Sequence, residues 1–300
     1  MLSHITRLCL AAALLPAAAT VQAGGPMDPP GTFVGLTSHR LHYYCVGSGG
    51  PTVLFESGIG GSSLDWAAVQ AAVAGEATAC AYDRAGYGWS DPGPGPRDAE
   101  HSAVELAGLI ERAELQTPLV LVGHSFGGFI VRYFASRNPA AVAGLVLVDS
   151  SHPDVLLDQG RPGPAGRVTQ PIATDRVDAA RSAPGSDWRA SYLATRRKAI
   201  FAQMNEFREF ANSARQVADS SPLPDVPVVV VTRAECGQAS ATSSEWCTAQ
   251  RQLADSTPRG TLQIAGTGQH SIHVAEPAAV IMAIESVLRE VRAGQPADVD

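Results

Sequence analysis

Three hundred residues allow one large domain or two modest ones. With 45% hydrophobic and 17% charged residues, the chain is too apolar and too sparsely charged for a disordered protein, and it shows no Gly-X-Y, heptad or other fixed-period repeat. A formal net charge of −7 leaves no basic stripe to displace counterions, so no nucleic-acid partner is expected.

The first segment does not read as part of the fold. Residues 1–23 combine a short cationic start, an apolar stretch from Leu8 to Ala19, and small residues at Val21 and Ala23, the pattern of an export signal cleaved after Ala23. Pro16 interrupts that stretch, which falls short of the ~20 apolar residues of a membrane span, and no later stretch is long and apolar enough to span. Cys9 lies inside it as a passenger. The remaining Cys45, Cys80, Cys236 and Cys247 are an even number in a chain bound for a secreted or periplasmic, oxidising location, where disulfides persist. Four cysteines permit three pairings. None has Cys-x-x-Cys spacing, so a zinc site is not expected.

From Arg40 onward, short apolar runs alternate with helical patterns. Arg40–Val46 and Thr52–Glu56 read as strands separated by a Gly/Pro turn, Leu64–Ala74 as a helix, and Thr78–Tyr82 as a strand. Ala99–Ala113 is a helix with one apolar face, Leu119–Val122 a strand, Phe129–Arg137 a helix stopped by Asn138-Pro139, and Leu145–Val148 a strand. Strands apolar on both sides, alternating with helices, predict a mostly parallel sheet covered on both faces. Between Ser150 and Asp225 no strand is predicted, only a Gly/Pro-rich lead-in and a helical pattern from about Ser186 to Ala218. Val226–Thr232 and Thr261–Ile264 resume the strands, and Glu276–Val291 closes with an amphipathic helix.

The informative segment is Gly123-His124-Ser125-Phe126-Gly127. Gly-x-Ser-x-Gly alone is weak, since roughly 0.2 chance matches are expected in a chain this rich in glycine. Here it follows an apolar strand and opens a helix. A sharp strand-to-helix turn of that kind exposes a serine hydroxyl at a helix N-terminus, where free N–H groups favour developing negative charge.

With these residues in place, the chain resembles the α/β-hydrolase family. Ser57-Gly58-Ile59-Gly60-Gly61 is similar to that family's oxyanion loop, although serine stands where histidine is common. Asp83-Arg84-Ala85-Gly86-Tyr87-Gly88-Trp89-Ser90-Asp91 resembles its Asp-x-Arg-Gly-x-Gly-x-Ser motif, and the segment around His270, Ser271 and His273 ahead of Glu276-Pro277 its terminal histidine loop. The resemblance implies a central sheet built from residues 24–149 and 226–300, with a helical cap, 150–225, inserted after the sixth strand. It implies Ser125 as nucleophile, with the N–H groups of Ile59 and Phe126 forming the oxyanion hole. It also places the strand of Cys45 beside that of Cys80, implying a Cys45–Cys80 bridge and leaving Cys236 and Cys247 to close a short loop.

A serine needs a base, and imidazole titrates in the right range. Of eight histidines, His270 matches the family's catalytic position, with His273 as competitor; His124, beside the serine, reads as packing. The acid stays open between Asp149, at the end of the strand Leu145–Val148, and Glu235, beyond the later strand. Asp149 is preferred. The expected activity is that of an exported serine hydrolase cleaving carboxylic esters of small molecules, without cofactor or metal. An amidase or proline-type aminopeptidase is the enzymatic alternative, and a non-catalytic binding protein on the same fold the other. The cap aromatics Trp188, Tyr192, Phe201, Phe207 and Phe210 are expected mostly as core between cap and sheet.

Overall fold

The computed structural model describes residues 27–157, 188–238 and 244–294. The segment 1–23, Cys9 and the lead-in 158–187 therefore lie outside the described residues. Eight strands form one sheet: β1 (Thr32–Gly35), β2 (Arg40–Val46), β3 (Val53–Glu56), β4 (Ala79–Tyr82), β5 (Leu119–His124), β6 (Val142–Val148), β7 (Val228–Thr232) and β8 (Gly260–Ile264). They lie in the order β1-β2-β4-β3-β5-β6-β7-β8, with β2 antiparallel to both its neighbours and every later pairing parallel.

The alternation of side chains along each central strand divides the core in two. Leu54, Leu119, Leu121, Leu145, Leu147, Val228 and Val230 face one layer, whereas Val53, Phe55, Val120, Val122, Val146, Val148, Val229 and Val231 face the other. The first layer is covered by helices α2 (Ala99–Arg112) and α3 (Phe126–Arg137). The second is covered by α1 (Ala67–Val73) and the last helix, Pro277–Ala293. That last helix starts on Pro277, where the missing N–H costs nothing, and buries Ala279, Val280, Ala283, Ile284, Val287 and Leu288 at helical spacing.

Between β6 and β7 lie α4 (Pro153–Leu157), α5 (Trp188–Ala194), α6 (Arg197–Arg208) and α7 (Phe210–Ala218). The helical pattern from Ser186 to Ala218 is thus three helices: the backbone is extended at Arg196 and leaves helical values again at Glu209. The expectation that the aromatics here are core fails for most of them. Phe210 packs on Phe126 and Phe129, at ring separations of 5.7 and 5.8 Å, but Tyr192, Phe201 and Phe207 are exposed. α6 buries Ala199, Ala202, Gln203 and Glu206 instead, because the surface it packs against offers a buried guanidinium and glycine backbone rather than an apolar face. Trp188 has no described side chain.

Four elements escaped the sequence pattern, the short helices Pro153–Leu157 and Ile272–Ala275 among them. Edge strand β1 buries just Val34, too little to show alternation, and α8 (Glu245–Asp255) is a polar helix capped by Ser244 that packs against β7 and β8. The last two helices are α9 (Ile272–Ala275) and α10 (Pro277–Ala293). Among the described residues no helix is long and apolar enough to cross a membrane. The cysteine sulfurs lie at disulfide distance in two pairs: Cys45 with Cys80, at directly opposed positions of β2 and β4, and Cys236 with Cys247, eleven residues apart.

Candidate active site

Ser125 sits between β5 and α3 with φ 52° and ψ −119°, a region that L-residues avoid and that stores about 1–3 kcal/mol. Backbone hydrogen bonds hold it there. Its N–H donates to the carbonyl of Val148 on β6 (3.1 Å), and its own carbonyl accepts from Gly128 (2.9 Å) and Ser151 (3.0 Å). The glycine at 127 is required by space: a Cβ there would stand 2.5 Å from the carbonyl oxygen of Glu56 and 2.7 Å from that of Ser57. α3 therefore starts one residue after the serine, three residues earlier than its apolar spacing suggests, and presses its first turn onto the end of β3.

Asp149, directly after β6, is a second non-glycine residue at positive φ (42°). Its N–H is tied to the Val231 carbonyl (2.7 Å), which turns a fully buried carboxylate toward the loop after β8. Oδ2 accepts from His270 Nδ1–H at 2.6 Å, and Oδ1 accepts from Trp246 Nε1–H (2.8 Å) and Thr232 Oγ1–H (3.1 Å). Arg233 Nε lies 2.9 Å from Oδ2 as an ion pair, although its N–H is not aligned for a hydrogen bond. These donors replace the water a buried carboxylate loses. Since a carboxylate here only accepts, Nδ1 of His270 carries the proton and Nε2 is the ring's basic nitrogen.

His270 keeps 40% of its side chain exposed. Its loop is pinned by His124, whose Nε2–H donates to the His270 carbonyl at 3.1 Å, with the rings 4.7 Å apart. His124 thus does more than pack, and its position between Ser125 and this loop could have flagged it. His273 is buried against the ring of Trp66, 4.3 Å away, with its ring 4.4 Å from that of His124. Glu235, the other acid candidate, is half-exposed and paired with Arg233 (3.1 Å). His42 is buried on Asp83, and His101 lies on the helix-capping carboxylate of Asp98.

On the other side of Ser125, the loop Ser57–Gly61 leaves β3 in a tight turn closed by Gly61 N–H to the Gly58 carbonyl (3.2 Å). A Cβ at Gly58 would stand 2.8 Å from His124 Nδ1 and 3.1 Å from Ser125 Cβ, so Ile59 follows a residue packed directly on the serine. Ser57, standing where the resembled family has histidine, accepts Trp66 Nε1–H (2.9 Å) and donates to the Ser62 carbonyl (3.1 Å), anchoring the loop's start. Phe126 is fully buried at the first position of α3. Beneath the loop, Arg84 is enclosed by Glu56 and Glu206. Burial alone would lower its pKa, but the two carboxylates hold it well above the usual arginine value, while burial pushes Glu56 up to about 7 despite Arg84 and the Tyr82 hydroxyl. The roles of Trp246, Thr232, Arg233 and Glu206 were not apparent in the sequence; the one available hint was a tryptophan adjoining Cys247.

The family model described as alpha/beta hydrolase fold matches residues 51–230, more than half of the chain. The chain belongs to the α/β-hydrolase family. Among solved structures, this α/β hydrolase is similar to Cfl2 from Burkholderia cenocepacia (TM-score 0.68, 22% identity, 85% of this chain and 94% of that one). It is likewise similar to a thermophilic esterase from Thermogutta terrifontis (TM-score 0.62, 22% identity, 87% and 98%). At such identities the likeness is one of fold. Among curated proteins it is 35% identical over 123 residues to the uncharacterized protein YqjL of Bacillus subtilis, covering 41% of this chain. The aligned part spans about half, 48%, of that relative's length. Among the described residues no group of three or more His, Cys, Asp or Glu is arranged to hold a metal ion.

Proposed function

We propose that this α/β hydrolase is an exported serine hydrolase that cleaves carboxylic esters through an acyl-enzyme. The observation carrying the reading is the 2.6 Å contact from the buried Asp149 carboxylate to His270 Nδ1, because it fixes the tautomer whose Nε2 can take a proton. In this scheme Ser125 Oγ attacks the ester carbonyl while His270 Nε2 accepts its proton. Asp149 stabilises the imidazolium, and the N–H groups of Ile59 and Phe126 receive the oxyanion. His270 then protonates the departing alcohol. Water enters by the same base and releases the acid.

The strained backbone at Ser125 supports its role, since such conformations persist where the surroundings over-determine them. We read residues 150–225 as a cap, supported by Gln203 of α6, which packs against Gly60 of the oxyanion loop. Two cysteine pairs at disulfide distance support an oxidising location.

The test is turnover of p-nitrophenyl esters of graded acyl length beside aminoacyl anilides, with Ser125→Ala as control, and labelling by a fluorophosphonate. Ester turnover and labelling, both abolished by Ser125→Ala, are expected. Anilide turnover without ester turnover would replace the esterase reading by an aminopeptidase. A folded protein that neither labels nor turns over would overturn the chemistry.

A further inference from the structure

A saturated charge cluster lies beneath the oxyanion loop. All five N–H groups of the buried Arg84 guanidinium are used. Nη1 donates to Glu56 Oε1 (2.7 Å) and to the Ser57 carbonyl; Nη2 donates to the Gly58 carbonyl (2.9 Å) and to Glu206 Oε2 (3.0 Å); Nε donates to Glu206 Oε1 (2.9 Å). Glu206 Oε2 also accepts from the Tyr87 hydroxyl (2.7 Å), and Glu56 accepts from that of Tyr82.

The Gly58 carbonyl belongs to the same peptide unit as the Ile59 N–H. Only X-Pro bonds are cis among the described residues, so this peptide is trans, and its C=O and N–H point in opposite directions. A guanidinium fixed on the oxygen therefore fixes where the N–H aims. Its charge also polarises the amide, making Ile59 a stronger donor. The loop Ser57-Gly58-Ile59-Gly60-Gly61 has three glycines, and an external anchor adds to its own Gly61–Gly58 turn bond and the Ser57 contacts in setting its shape. That anchor is completed from 122 residues away in sequence, by a carboxylate on α6.

We propose that Arg84, clamped by Glu206, is the positioning residue of the oxyanion loop, so that docking of α6 completes the oxyanion hole. This rests on the serine-hydrolase reading and adds a dependence of transition-state stabilisation on the helices between β6 and β7. The competing explanation is that Arg84 and Glu206 merely fasten α6 to the core. Lys198 separates the two. It also fastens α6, donating Nζ–H to the Ser90 carbonyl (2.5 Å), but the acceptor is outside the oxyanion loop.

The experiment measures kcat, KM and melting temperature for Glu206→Gln, Tyr87→Phe and Lys198→Met, together with inhibition by an alkyl boronic acid, whose tetrahedral adduct presents an oxyanion to the same donors. For Glu206→Gln, kcat falls about 10–100-fold with KM within about twofold, short of the 10²–10³ lost when an oxyanion donor is removed outright. Boronate affinity falls in parallel. Tyr87→Phe, which keeps the ring and drops both the bond to Glu206 and the one its oxygen accepts from the Gly60 N–H, shows a smaller fall of the same kind, and an unchanged kcat in it overturns the proposal if Glu206→Gln does not fold. Lys198→Met loses melting temperature but keeps kcat. Wild-type kcat in folded Glu206→Gln and Tyr87→Phe, or equal kcat losses in Lys198→Met, would overturn the proposal while leaving Ser125-dependent turnover intact. Absence of Ser125-dependent turnover in the wild type would overturn the underlying reading as well.

Discussion

Two buried carboxylates flank Ser125, and their surroundings differ. Asp149 stands at a strand end in strained backbone and holds an imidazole that remains 40% exposed. Glu206 stands in the last turn of a regular helix and holds a guanidinium with no appreciable exposure. The difference follows from what each side is asked to do in the proposed reaction. An imidazole that exchanges protons with substrate and water needs an open face, whereas a peptide that presents a preorganised dipole must not move, and sealing its anchor from solvent keeps it still.

The largest effect expected from this contrast is at the serine. Ser125→Ala removes about 10⁵–10⁶ in kcat, measured with the preferred p-nitrophenyl ester. Next is the carboxylate facing the imidazole: Asp149→Asn loses about 10⁴ in turnover, whereas Glu235→Gln, whose partner is Arg233, stays within about twofold. Comparable losses in both variants would break the assignment of Asp149 to the imidazole side.

Removing the cystine bridges separates stability from activity. Cys45 and Cys80 close a 35-residue separation and Cys236 and Cys247 one of 11, so replacing the first pair with alanines costs about 4 kcal/mol in urea unfolding and the second about 3. The activity order is reversed. Cys247 adjoins Trp246, which donates to Asp149, so loss of the smaller bridge lowers kcat while loss of the larger one leaves it near wild type.

The smallest effect is a pH slope. Burial holds Glu56 protonated in the fold up to about 7, whereas the unfolded chain ionises near 4.5. Between those values the unfolded state binds fewer protons. Stability is therefore fullest below pH 4.5 and declines as pH rises to about 7, by roughly 3 kcal/mol from this group. Glu56→Gln flattens that part of the profile in urea titrations at pH 5 and pH 7.5. An unchanged slope would show that Glu56 is ionised throughout and that the Arg84 cluster carries two negative partners.

The two sides of the site were also unequally legible. The turn at Ser125 is written in adjacent residues, because glycines at 123 and 127 are required by backbone contact, and the apolar run before them ends where the helix begins. The His270 loop was legible from its resemblance to the family's terminal loop. The pattern of α6 misled, since Phe201, Met204 and Phe207 lie on its exposed face and its buried face is small and polar. A helical period reveals that one face differs from the other; it does not say which faces inward when the receiving surface is charged.

From the sequence alone came strands β2 to β8 and the main helices between them, the family and the serine at its turn, since these depend on local steric rules and on apolar runs long enough to demand burial. Whether Asp149 or Glu235 meets His270, and that Glu206 reaches Arg84, was decided only by the folded chain. Those partners are 121 and 122 residues apart, and a side-chain pairing across such separations leaves no periodic trace in either segment. The sheet register and the docking of α6 bring them together.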